Sequence, residues 1–277
     1  MSLGVAIKGP EGVVLAADSR VTLGAQHRDG PRFVVNFDNA TKLLTFSGKE
    51  NKYVGAVTYG VAVIGLRTAH SYIPEFEVDL SKEKNKRLTV LEFSQKLSDF
   101  FLKRWKEEMP KDYQGPSMTF LIGGFDHGVA YGKVFLVDIP KHPKPEQRNP
   151  GENDFGMTWG GQLQIVSRLI HGYDPDLPDI IRSKFNLNNE QLKEFIDTLT
   201  KRTEFKIPYP VLPLQDCVNL AIFLIRTTMS GQELAVGVRG VGGMIDVATI
   251  TRTKGLRIVQ RKEIHGELRS IQMEGAI

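Results

Sequence analysis

The sequence predicts an α+β fold of four layers, αββα, in which two antiparallel sheets stack and helices flank them. The chain opens with β-branched runs separated by Gly/Pro clusters, the mark of antiparallel hairpins. Its elements then follow as strands, helix, strands, helices, strands. There is no alternating βαβ rhythm and no GxGxxG, which argues against a dinucleotide-binding sheet. Several stretches carry apolar residues at helical spacing, and no repeat of solenoid period appears.

Gly4-Val5-Ala6-Ile7-Lys8 and Val13-Val14-Leu15-Ala16-Ala17-Asp18 read as strands joined by the turn Gly9-Pro10-Glu11-Gly12. A second pair runs from Thr41 to Phe46 and from Tyr53 to Tyr59, with residues 47–51 as the turn. Between the pairs, Gln26 to Asp38 holds Gly30-Pro31 and mixed charge, so an exposed loop or an inserted hairpin is expected. From Thr89 to Met109 the residues Leu91, Phe93, Leu97, Phe100, Phe101, Leu102 and Trp105 keep a helical period, and Pro110 stops it. Strands return at Met118 to Gly123 and Val129 to Asp138. The segment Pro140 to Pro150, with Pro143 and Pro145 inside it, is expected to be a long loop.

Helices are expected over Gln162 to Ile170 and Asn189 to Lys201. Pro208, Pro210 and Pro213 then break the chain. The apolar stretch Gln215 to Met229 is expected to be a helix buried between layers. Met244 to Thr251 and Leu256 to Gln260 close the chain as a strand pair around Thr253-Lys254-Gly255.

Apolar residues make up 41% and charged residues 25% of the 277, a balance that argues against disorder. The single cysteine, Cys217, excludes a disulfide framework and a cysteine-based metal cluster, and points to a reducing compartment. No run approaches the ~18 apolar residues of a membrane span. Met1-Ser2-Leu3-Gly4-Val5 shows no basic leader, so a cytoplasmic protein that does not engage a membrane is expected. The net charge of +4 is interspersed, and the densest basic run, Lys82 to Arg87, contains Glu83. It reads as a solvated loop, and no nucleic-acid partner is expected.

His27, His70, His127, His142, His171 and His265 are scattered with no HExxH or i, i+4 pair, so no metal is expected. His70 reads as a helix-face residue. Asp174, Asp176 and Asp179 read as the charge of a loop or of a helix N-terminus. Neither GxxxxGK[ST] nor GxSxG occurs, and no cofactor is expected.

Residues 2–20 carry the most chemistry. Ser2 begins the chain once Met1 is removed, and a strand, a glycine-containing turn and a second strand lead to Asp18-Ser19-Arg20. This order resembles the N-terminal segment of proteasome β-type subunits, including the bacterial and archaeal ones, a branch of the N-terminal-nucleophile hydrolases. The resemblance spans most of the chain in element order. It is specific over residues 2–20, around Lys42, around Gly60 and at Gly242-Gly243-Met244-Ile245-Asp246-Val247-Ala248. It implies a single domain over 1–277 with insertions near 26–38, 140–156 and 172–213. It further implies a peptide or protein substrate and homo-oligomeric rings or stacked rings.

For the site, the resemblance makes Ser2 the nucleophile, Lys42 the buried cation and Asp18 its carboxylate partner. Gly60 supplies a backbone N–H to the oxyanion, and Arg20 supports the arrangement. The chemistry is coherent: an α-amine titrates near ~7.7–8.0 and can take the proton of the hydroxyl it shares a residue with. A neighbouring ammonium lowers the pKa of both. Each residue also has a plainer reading. Ser2 follows an initiator methionine, Asp18 ends a strand, Arg20 makes a structural ion pair, Lys42 faces solvent and Gly60 serves a turn.

The family opens with threonine where serine stands here. Its Asp-x-x-Ser ahead of Gly-Gly gives way to Val238-Arg239-Gly240-Val241, and its Gly-Ser-Gly to Trp159-Gly160-Gly161. Two alternatives therefore stand beside the peptidase or amidohydrolase. One is a non-catalytic ring-forming subunit. The other is an amide-bond transpeptidase or ligase, in which an amine resolves the acyl ester.

Overall fold

In the computed structural model, which describes residues 2–26, 32–82 and 87–266, the opening runs form β1 (Leu3–Lys8) and β2 (Val13–Asp18). The Gly9 N–H donates to Gly12 O at 2.9 Å and closes the hairpin. There follow β3 (Val21–Gln26), β4 (Arg32–Phe37), β5 (Leu43–Thr45), β6 (Val54–Gly60), β7 (Val63–Ile64), β8 (Arg67–Thr68), α1 (Ala69–Ser81) and α2 (Val90–Glu108). Next come β9 (Met118–Gly124), β10 (Lys133–Ile139), β11 (His142–Arg148), β12 (Gly156–Gly161), α3 (Gln164–Ile170), α4 (Leu177–Phe185) and α5 (Asn189–Thr203). The last elements are α6 (Leu214–Leu234), β13 (Ile245–Thr251) and β14 (Gly255–Gln260).

Among the described residues the protein is mixed α+β, with antiparallel sheets and six α-helices. One five-stranded sheet runs β12-β1-β2-β13-β14 and the other β11-β10-β9-β6-β5. Ala6, Val13, Leu15 and Ala17 of the first sheet pack against Leu43, Val57, Leu121 and Val134 of the second. Alternate residues of the same strands, Leu3, Val5, Ile7, Val14 and Ala16, turn outward to Val218, Ala221, Leu224 and Ile225 of α6 and Val166 of α3. On the far side, Leu44, Ala56, Phe120, Ile122 and Val137 meet Tyr72 and Phe76 of α1 and Phe93, Leu97 and Phe101 of α2. Both faces of β1 and β2 are covered, which is why their sequences read as near-continuous apolar runs.

Thr89 caps α2. Its hydroxyl accepts from Glu92 N at 3.2 Å while the Glu92 carboxylate accepts from Thr89 N at 2.7 Å, a capping box worth about 1 kcal/mol. No helix among the described residues is long and apolar enough to cross a membrane.

Two expectations are corrected. Pro140 to Pro150 is not simply a loop, because His142–Arg148 forms β11. This strand is the last in its sheet, and an edge is where prolines without an N–H are tolerated. The helix expected over Gln215 to Met229 does not lie between layers. One face of α6 covers the first sheet and the other is open, with Phe223 50% exposed. Among the elements not anticipated are α4, β12 and, beyond the helix face read at His70, α1. Pro74 lies inside α1, Pro178 in the first turn of α4, and Gly156, Gly160 and Gly161 punctuate β12, so residue types that normally mark breaks hid them.

The segment from Gln26 to Asp38 resolves in favour of a hairpin, since β3 pairs with β4 and Leu23 sits opposite Val35. Its tip, 27–31, lies outside the described residues, as does 83–86 of the basic run.

Candidate active site

Asp18 ends β2 where the first sheet opens, opposite Ile245 of β13. Its side chain is fully buried and its acceptor capacity is filled. Oδ1 accepts from Leu3 N at 3.0 Å and Lys42 Nζ at 2.7 Å, and Oδ2 from Gly242 N at 3.0 Å and Arg20 N at 3.1 Å. One carboxylate thus fastens the start of β1, the turn after β2 and the glycine pair before β13. Lys42 is buried just ahead of β5 and also donates to Arg20 O. Its carbonyl accepts from Thr58 N at 3.0 Å, which ties it to β6. Burial holds the Lys42 pKa below the ordinary lysine value, and the Lys262 and Arg20 cations push the same way against the opposing pull of Asp18.

Ser2 is buried at 4% exposure ahead of β1. Its carbonyl accepts from Gln162 N at 2.8 Å, and the next amide, Leu3 N–H, is held by Asp18. Gly161 makes this approach possible. Its φ is +100°, and a Cβ there would lie 1.9 Å from Ser2 O, so no side chain fits. Ser2 and Lys42 line the same cavity, of about 20 Å³, together with Thr58, Tyr59, Val61 and Thr68. That volume admits roughly one water. The Thr58 hydroxyl is buried with no hydrogen-bond partner among the described residues.

Tyr59 packs its ring over Gly4 and Gly160, where Cβ atoms would fall 2.8 Å and 2.2 Å from it, and burial pushes its phenol pKa up.

No protein-family model matches the chain, and no curated protein matches its sequence. The candidate site therefore rests on these contacts.

Gly60 ends β6 between two residues of the cavity wall. With φ at +93° and a Cβ position 2.1 Å from Ser117 O, it must be glycine for backbone reasons alone. Arg20 points elsewhere. Nε and Nη2 grip Asp38 at 2.5 Å and 2.8 Å, and Nη1 donates to Arg239 O at 3.3 Å. It is a fastener that holds the end of the β3–β4 hairpin and the 239–242 segment against the site. A Cβ on Gly242 would sit 2.4 Å from the guanidinium, so a side chain there would have to displace Arg20. His70 is exposed in the first turn of α1, in keeping with a helix-face position.

Sequence reasoning did not single out Asp38, Thr58 or Tyr59, and met Gly161 only within Trp159-Gly160-Gly161, where the family has Gly-Ser-Gly. Asp38 was visible as the carboxylate ending the suspected hairpin. The others depend on which strands become neighbours, and no local pattern reports that. Among the described residues, no group of three or more His, Cys, Asp or Glu could hold a metal ion.

Proposed function

We propose that the chain is an N-terminal-nucleophile peptidase or amidohydrolase with the four-layer fold of that class, similar in plan to proteasome β-type subunits, working from Ser2 after loss of Met1. What carries this reading is the buried Lys42–Asp18 pair at 2.7 Å, whose lysine lines the cavity that Ser2 also lines. In the proposed reaction the Ser2 hydroxyl attacks an amide carbonyl and its own amine takes the proton. Lys42 keeps that amine from holding its proton too tightly. The Gly60 N–H receives the oxyanion, an interaction worth about 3–4 kcal/mol where such donors are preorganised. The amine returns its proton to the leaving nitrogen, and water hydrolyses the Ser2 ester to free acid and enzyme.

The working protein is proposed to be a cytoplasmic homo-oligomer, a ring or stacked rings, acting on peptides or proteins without metal or organic cofactor. One observation favours the second reading, a catalytically silent ring subunit. A cavity of about 20 Å³ does not admit a peptide carbonyl as it stands. Hydrolysis of a panel of fluorogenic peptides separates the two. Ser2→Ala should lower kcat/KM at least ~10³-fold if Ser2 is the nucleophile. Equal rates in both proteins would favour the silent subunit.

A further inference from the structure

A second buried carboxylate–ammonium pair adjoins the first. Asp246 lies on β13 next to Ile245, the residue opposite Asp18. Its Oδ2 accepts from Lys262 Nζ at 2.5 Å and its Oδ1 from Lys262 N at 3.0 Å, with the side chains only 2% and 10% exposed. Lys262 Nζ reaches on to Ser19 Oγ at 3.4 Å. Ser19 is fully buried, and its backbone bonds to Gly242 O and Ala40 N. Two ammonium groups therefore bracket one tripeptide: Lys42 holds Asp18 and the Arg20 carbonyl, and Lys262 holds Ser19 between them.

Buried ion pairs are poor stabilisers compared with apolar packing, and bringing two like charges together adds to their cost. The arrangement makes sense where the second charge acts on the first. We propose that Lys262 is a positioning residue of the Ser2 site, held by Asp246 and acting through Ser19 and its own charge on the Asp18–Lys42 pair. This rests on the reading of that pair as the working centre. Charged groups facing Lys42 are Asp18, Arg20, Asp38 and Lys262, with the Tyr59 phenol on the same cavity. Of the three cations around the centre, Lys262 comes from the segment after β14. Its charge disfavours the protonated form of Lys42, so Lys42 gives up its proton more readily with Lys262 in place.

The test uses the pH dependence of Lys42 acetylation by acetic anhydride, mapped by mass spectrometry. Lys262→Met and Lys262→Gln should both move the Lys42 midpoint to higher pH. At a fixed pH below the midpoint, Lys42 should then react about two- to fivefold more slowly. Lys262→Arg should restore the wild-type curve. An unchanged midpoint in the neutral variants would reduce Lys262 to a clamp on the chain end, as would an equal shift in Lys262→Arg. Intact wild-type protein gives the same decision without mutation. By top-down mass spectrometry, molecules already acetylated on Lys262 should acquire the Lys42 acetyl more slowly, and statistical independence of the two events overturns the inference. None of these readouts needs turnover, so a failed Ser2→Ala result sinks the peptidase reading alone.

Discussion

Asp18→Asn is expected to lose about 3–5 kcal/mol of folding stability, read as a lower urea midpoint at unchanged slope. The carboxylate accepts three backbone N–H groups and one ammonium, at 3.0, 3.1, 3.0 and 2.7 Å. An amide can offer only one acceptor oxygen. Its NH2 would have to face donors, either Leu3 N and Lys42 Nζ or Arg20 N and Gly242 N. Each orphaned buried donor costs roughly 1–3 kcal/mol. The start of β1, the turn to Arg20 and the Gly242 segment should loosen together, because one side chain joins them. A loss below about 1 kcal/mol would mean that these groups find water or other partners.

Lys42→Met is expected to separate stability from chemistry. Asp18 keeps its three backbone donors in this variant, so the fold should survive with a smaller loss, on the order of 2–3 kcal/mol. Peptide hydrolysis should fall by ~10²–10⁴, because nothing then tunes the Ser2 amine. Lys42→Arg should not rescue it, since a planar guanidinium is larger than the ammonium it replaces and a cavity of about 20 Å³ leaves it no room.

The pH dependence of stability gives a second signature. Lys42 in the folded chain releases its proton below the ordinary lysine value of 10.5, so the unfolded chain binds more protons between the folded value and 10.5. The Lys42 contribution to stability therefore rises with pH across that window. Denaturant midpoints of wild type and Lys42→Met should diverge there as pH rises, with the rise missing from the variant. An identical pH profile in both proteins would contradict the assignment of a depressed value to Lys42.

How much could be read from the chain follows from the range of the interactions. The β1–β2 hairpin was legible because Gly9-Pro10-Glu11-Gly12 is local turn chemistry, and α2 because nineteen residues repeat one apolar face up to Pro110. The strand β11 was not, since Pro143 and Pro145 forbid a central strand but permit an edge one, and edge position is a property of the sheet. The Asp18–Lys42 contact spans 24 positions and could be anticipated only through the family resemblance. Lys262 reaches Ser19 across 243 positions, and nothing near either residue announces it. The same limit hid why Gly161 must be glycine, since the reason is Ser2 O just ahead of the neighbouring strand β1.

In the proposed mechanism a hydroxyl and a free amine on Ser2 act together beside the Lys42 ammonium. Intact-mass and peptide-mapping analysis after incubation with a peptide epoxyketone tests it most directly, because that reagent needs both groups on one residue to close its ring. Loss of Met1, addition of the whole reagent mass at Ser2 and no addition in Ser2→Ala are the expected results. A chain that keeps Met1, or one that lacks it and stays unmodified at Ser2, would contradict it.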